Sequence, residues 1–124
     1  MKTTATVYGI PACDTVKRAR AWLVAQGIPY TFYDFKKSGV PVERLDAWIA
    51  ELGYEILLNR QGTTWRKLDD AAKKGITDAE SAKQLMIAQP SVIKRPVIEW
   101  GKGRLSVGFS VDAPAFQDAA SGPR

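Results

Sequence analysis

The stretch VYGIPACDTVKRARAWL, from Val7 to Leu23, holds the only cysteine of the chain, Cys13. It sits where an apolar β-like run gives way to a helix-like one. A thiol in such a place has two possible fates. Buried among apolar neighbours, it is a small inert hydrophobe. At a helix start, unpaired amides and the positive end of the dipole favour the thiolate, the nucleophilic form. Spacing alone leaves both open. Lys17, one helical turn on, could add a positive charge to that face, and the Thr15 hydroxyl could donate a hydrogen bond to sulfur. Asp14 opposes both, because a nearby carboxylate disfavours ionisation. The balance predicts a modest lowering from the free-thiol value of about 8.5.

Composition shortens the list of possible chemistries. The chain has no histidine, which excludes Ser-His-Asp and Cys-His mechanisms and imidazole-based zinc sites. One cysteine cannot form an internal disulfide, a zinc finger or an iron–sulfur cluster. No metal and no bound cofactor are therefore expected. Chemistry must come from Cys13, arginines, carboxylates or backbone amides. The net charge is +5, but the basic residues occur as scattered pairs such as Lys17-Arg18, Lys36-Lys37, Lys73-Lys74 and Lys94-Arg95. Pairs of this kind read as solvated helix faces rather than a nucleic-acid surface. The start MKTTATVYGI lacks an apolar signal core, and no apolar run approaches spanning length, so a cytoplasmic protein without a membrane partner is expected.

The elements that must position the thiol can be read from periodicity. Thr3 to Tyr8 reads as a strand. Cys13 to Gln26 reads as a helix with Val16, Ala19 and Leu23 on one face, ended by Gly27 and Pro29. Tyr30 to Phe35 reads as a second strand, so a βαβ unit results if the strands are parallel. Pro41 fits the first turn of a helix running to Leu52, with Leu45, Trp48, Ile49 and Leu52 apolar and Gly53 after it. TTWRKLDDAAKK reads as one short helix. Thr77 and Glu80 match a capping box ahead of Ala82, Leu85 and Met86. Trp48 and Trp65 are expected in the core or at a domain interface. Pro96 to Trp100 and Leu105 to Phe109 read as strands joined by a tight Gly101–Gly103 hairpin. A helical turn is expected around Pro114 to Ala119, before a frayed end.

Together these elements and motifs resemble the thioredoxin-like fold and, within it, the arsenate reductase (ArsC)/Spx/YffB family. The resemblance rests on YGIPACDTVKRA, LLNRQGTTWRKL, ITDAESAKQLM, QPSVIKRPVI and VGFS, and points to the YffB branch. It implies an α/β fold: one domain over 1–116, with a thioredoxin-like core over about 1–36 and 90–116. A helical insert would occupy about 40–89, and 117–124 would form a flexible tail. In the arsenate reductase branch a cysteine attacks arsenate and three arginines hold the oxyanion. Cys13 matches that nucleophile, and Arg95 matches one arginine. Asn59 occupies the simplest aligned position of another, with Arg60 adjacent, and the third falls near Val107. The histidine found shortly before the family cysteine is replaced around Gly9. The Cys-x-x-Cys switch of Spx regulators would need a thiol at Val16, and a phosphatase-type Cys-x5-Arg loop would need an arginine at Ala19.

The resemblance therefore implies a reactive Cys13, with Arg95, Arg60 and Thr15 as anion-binding candidates and Pro96 and Pro11 shaping the site. The Arg95-Pro96 bond, at a strand start, is a candidate for the cis form. Cys13 cannot resolve its own mixed disulfide, so an external thiol is needed, from glutathione or a glutaredoxin. Glutathione carries two carboxylates, onto which a guanidinium forks well. The function expected is a monothiol, glutathione-dependent thiol oxidoreductase. Alternatives are a glutaredoxin-coupled arsenate reductase and a Spx-like regulator binding the RNA polymerase α subunit.

Overall fold

The computed structural model describes residues 5–101 and 104–109. The expected Thr3 strand start, the tip of the final hairpin, the turn over Pro114 to Ala119 and the tail at 117–124 lie outside these residues. The chain divides into two compact units, Met1–Lys37 with Arg95–Arg124, and Ser38–Lys94.

The first unit is built on a four-stranded sheet in the order β2-β1-β3-β4. β1 (Ala5–Gly9) runs into α1 (Asp14–Ala25), which returns the chain to β2 (Tyr30–Asp34). β1 and β2 are parallel, with Val7 opposite Phe32, so the βαβ unit forms as expected. β3 (Val97–Gly101) lies antiparallel on the other side of β1, and β4 (Arg104–Val107) is antiparallel to β3. Side-chain alternation gives the sheet two faces. Ala5, Val7, Ile98 and Trp100 pack with Leu23 and Ile28, while Trp22, Tyr30, Phe32 and Phe109 close over the cluster. Val16, Ala19 and Leu23 are fully buried, the face that the helical period predicts. Tyr8, at an alternate position of β1, lies 5.3 Å from the Tyr33 ring and donates from its hydroxyl to Glu99 Oε1 at 2.7 Å.

Element ends differ from the sequence reading by a residue or two, for local reasons. β2 stops at Asp34, whose Oδ1 accepts the Lys36 amide at 2.8 Å and starts a short helix, α2 (Phe35–Ser38). β4 stops at Val107 rather than reaching Phe109. Gly108 takes a positive φ of 81°, and its amide donates to Pro96 O at 2.8 Å.

The second unit is helical. α3 (Val42–Leu52) places Leu45 and Trp48 inside; Pro41 stands at its N-cap instead of in its first turn, and Gly53 ends it at φ 87°. After α4 (Tyr54–Leu57), the stretch expected as one helix is two, α5 (Thr63–Arg66) and α6 (Asp70–Lys74). α5 is capped at Lys67, and Asp69 begins the second helix afresh, its carboxylate accepting from Ala72 N at 2.7 Å. Trp65, expected in the core or at an interface, is only half-buried. α7 (Ala79–Ala88) has a capping box one residue later than expected, because Asp78 rather than Thr77 takes the N-cap. Glu80 then falls in the first turn and accepts from Gln84 Nε2 at 3.2 Å. α3 and α7 are joined by Lys83 and Asp46 at 2.9 Å.

Candidate active site

Cys13 stands at the N-cap of α1, half-buried, with φ −72° and ψ 125°. A turn carries the chain there from β1. The Cys13 amide donates to Ile10 O at 3.1 Å, and Pro11 takes the second position of that turn, where its fixed φ is suited. The Cys13 carbonyl then accepts from Lys17 N at 3.0 Å, opening the helix. Gly9 explains how closely strand and helix approach. A Cβ there would come within 2.8 Å of Val16 Cγ2, so a side chain at position 9 would push the first turn of α1 away.

Tertiary pairing brings Arg95 to the same place. Tyr8 is opposite Val97 in the antiparallel β1–β3 ladder. The chain just before Val97 therefore runs beside the chain just after Tyr8. The Arg95-Pro96 peptide is cis, and Pro96 is buried. Arg95, half-buried, hydrogen-bonds through its side chain to the Cys13 sulfur.

Opposing forces act on the thiol. Burial, the largest single influence, pushes its pKa up. The Val16 amide, the hydrogen bond and charge of Arg95, and the Thr15 amide push it down, and together they hold it below the ordinary thiol value. The direction and the part played by helix-start amides match the sequence expectation, but the side chains expected to contribute do not. Neither Lys17 nor Asp14 is among the groups that move the thiol, and Thr15 acts through its backbone. The Thr15 hydroxyl accepts from Arg18 Nη2 at 3.5 Å. The sequence reading did not single out the Val16 amide. Any residue at that position supplies it, so only the helix start at residue 14 could have signalled it.

The other candidate, Arg60, belongs to the helical unit, where its guanidinium lies 5.6 Å from the Trp65 ring centroid. Asn59 beside it accepts from the Gln61 amide through Oδ1 at 3.1 Å. Among the described residues no group of three or more histidine, cysteine or acidic side chains is placed to hold a metal ion. No helix among them is long and apolar enough to cross a membrane.

A model of the ArsC family matches residues 8–114, a span that includes Cys13, Arg60 and Arg95. The solved YffB protein is 50% identical, covering 94% of this chain and 98% of its own, with a TM-score of 0.83. An arsenate reductase (ArsC) related protein from Brucella melitensis is 48% identical, covering 95% of both chains, with a TM-score of 0.73. A global transcriptional regulator Spx from Streptococcus pyogenes is more distant, 28% identical over 86% of this chain and 79% of its own. The thioredoxin-like sheet with added helices is common to this chain and its solved relatives. The match spans residues of both units and includes the turn and helix that carry the thiol: the chain belongs to the ArsC family.

Proposed function

We propose that the protein is a monothiol, glutathione-dependent thiol oxidoreductase with Cys13 as its nucleophile. The observation that carries this reading is the thiol held below its ordinary pKa by Arg95 and two first-turn amides. In the first step the Cys13 thiolate attacks one sulfur of a glutathione mixed disulfide. A Cys13–glutathione disulfide forms, the substrate S–S bond breaks, and the substrate leaves as a thiolate that takes a proton from water. In the second step a glutathione thiolate attacks the glutathione sulfur of that adduct. Oxidised glutathione leaves and the Cys13 thiolate is restored. The net change is one glutathione thiol consumed for one substrate thiol released; the other half of the oxidised glutathione comes from the substrate mixed disulfide, and the chain needs no second cysteine. Arg95, beside the sulfur, stabilises the thiolate and can receive a peptide carboxylate. Arg60 is a second candidate for that anion-binding role.

The experiment is mass measurement of the intact protein after exposure to oxidised glutathione. One glutathione adduct on Cys13, released by reduced glutathione, is expected. Absence of an adduct under conditions that modify a peptide thiol would overturn the reading.

The name of the Brucella relative favours arsenate reduction as the second reading. Against it stands Val107 near the position of the third arginine, which leaves an oxyanion without one charged contact. A hydrogen bond to a charged group contributes about 1.5–3 kcal/mol, so arsenate turnover with glutathione and glutaredoxin is expected to be weak. Robust turnover abolished by Cys13→Ser would promote this reading over the first. For a Spx-like redox switch the second thiol would have to stand at Val16, which is fully buried against Gly9.

A further inference from the structure

Within the helical unit, a cleft of about 400 Å³ is lined by Glu55, Ile56, Leu58, Asn59, Arg60, Gln61 and Lys94. Backbone pairing fixes its frame. Leu58 bridges Ile93 in antiparallel register, Lys94 N donates to Leu57 O at 2.7 Å, and Asn59 N donates to Val92 O at 2.8 Å. Asn59, Arg60 and Lys94 are thereby rooted on two paired segments. The Arg60 guanidinium is further held by the Trp65 ring. The cleft is small for a ligand site but within the usual range of about 300–1,000 Å³.

Its charges have both signs, and they are not used on each other. Among the described residues no ion pair joins Glu55 to Arg60 or to Lys94. A simple oxyanion would meet two cations but also the Glu55 carboxylate. A neutral peptide would make no use of the three exposed charges. An α-amino-acid head carries an ammonium and a carboxylate on one carbon and answers both signs. We propose that this cleft binds such a zwitterionic head, of the kind a γ-glutamyl group presents, with Arg60 and Lys94 taking the carboxylate and Glu55 the ammonium. The ligand's identity as glutathione rests on the function proposed above; the chemistry of the cleft does not.

The test uses the whole wild-type chain and S-methylglutathione, whose blocked sulfur cannot react with Cys13. Titration is followed by calorimetry and by amide NMR shifts, in parallel with N-acetyl-S-methylglutathione, which lacks the ammonium. Shifts at Asn59, Gln61 and Lys94 are expected. Acetylation should weaken binding about two- to five-fold, the range of one exposed ion pair. Glu55→Gln should weaken the parent ligand to the same degree and abolish the difference between the two ligands, whereas Lys94→Gln should weaken both. Equal affinity of the two ligands for the wild-type chain, or shifts confined to residues outside the cleft, would overturn the proposal. The Cys13 adduct assay separates the two readings. An adduct without cleft binding removes this inference and leaves the thiol chemistry standing; cleft binding without an adduct does the reverse.

Discussion

Two helix starts in this molecule solve the same problem in opposite ways. At α7, Asp78 Oδ1 accepts the Ser81 amide at 2.9 Å, and Ser81 Oγ accepts the Asp78 amide at 3.2 Å. The first-turn donors there are closed by neighbouring side chains, as helix stability favours. At α1, the cap position holds Cys13, which brings no side-chain oxygen to the first-turn amides, only a sulfur, a weaker acceptor. The amides of Thr15 and Val16 act on sulfur instead. A side-chain oxygen at a cap position is worth about 0.5–2 kcal/mol over alanine, which the thiol does not match. The difference teaches where local stability has been forgone. A break in a local rule of this kind marks a functional site more often than a defect.

The comparison can be broken most completely at Cys13 itself. Cys13→Ser should abolish adduct formation with oxidised glutathione while leaving the thermal midpoint unchanged or raised, because serine caps well. A fall in the midpoint would mean that the sulfur itself stabilises the helix start, and the two N-termini would no longer be opposites.

Arg95→Ala should have the next largest effect. Removing the guanidinium raises the Cys13 pKa, so less thiolate is present at neutral pH. The pH profile of iodoacetamide alkylation should move to higher pH. The rate at pH 7 should fall about three- to ten-fold, less than a full charged hydrogen bond allows because the site is partly solvated. An unmoved profile would leave the first-turn amides alone responsible for the lowered pKa.

At the other helix start, Asp78→Ala should lower the thermal midpoint and leave Cys13 alkylation unchanged. Its bonds to Ser81 hold the Asp78 carboxyl below the ordinary value of 3.8. A carboxyl with a folded pKa below its unfolded one stabilises the fold fully above the unfolded value and loses that contribution as pH falls through the folded one. The difference between wild type and Asp78→Ala should therefore be constant above about pH 5 and shrink only in stronger acid. A difference that closes near neutrality would assign the cap effect to another group.

The smallest effect is expected from Lys73→Ala, which removes one positive charge from α6 in the helical unit. It should slow adduct formation less than Arg95→Ala, and raised salt should erase the Lys73 effect first. Equal effects from the two substitutions would mean that net charge, and not a site, governs the reaction.

Much of this molecule was legible in its residues because local physics wrote it there. The apolar spacing of Val16, Ala19 and Leu23, with Gly27 and Pro29 after it, determined α1 and its buried face. The β-branched and aromatic runs on either side determined β1 and β2. Asp69 and Asp78 were harder to read, because several neighbouring polar residues can cap, and small differences in backbone extension select among them. Thus one expected helix became two, and one capping box moved by a residue. At the candidate site, the sequence supplied a lone thiol behind Pro11, and Arg95, by its place ahead of Pro96 and by the resemblance, was set above Arg60 as the anion binder. Spacing could not say which cation meets the sulfur: Lys17 is four residues away and Arg95 is eighty-two. The antiparallel pairing of β1 with β3 decided that, by running the chain before Val97 beside the chain after Tyr8. Helix propensity acts over a few residues and can be read along the chain. The charge that a thiol feels falls off through space, and which residues share that space is set only when the sheet closes.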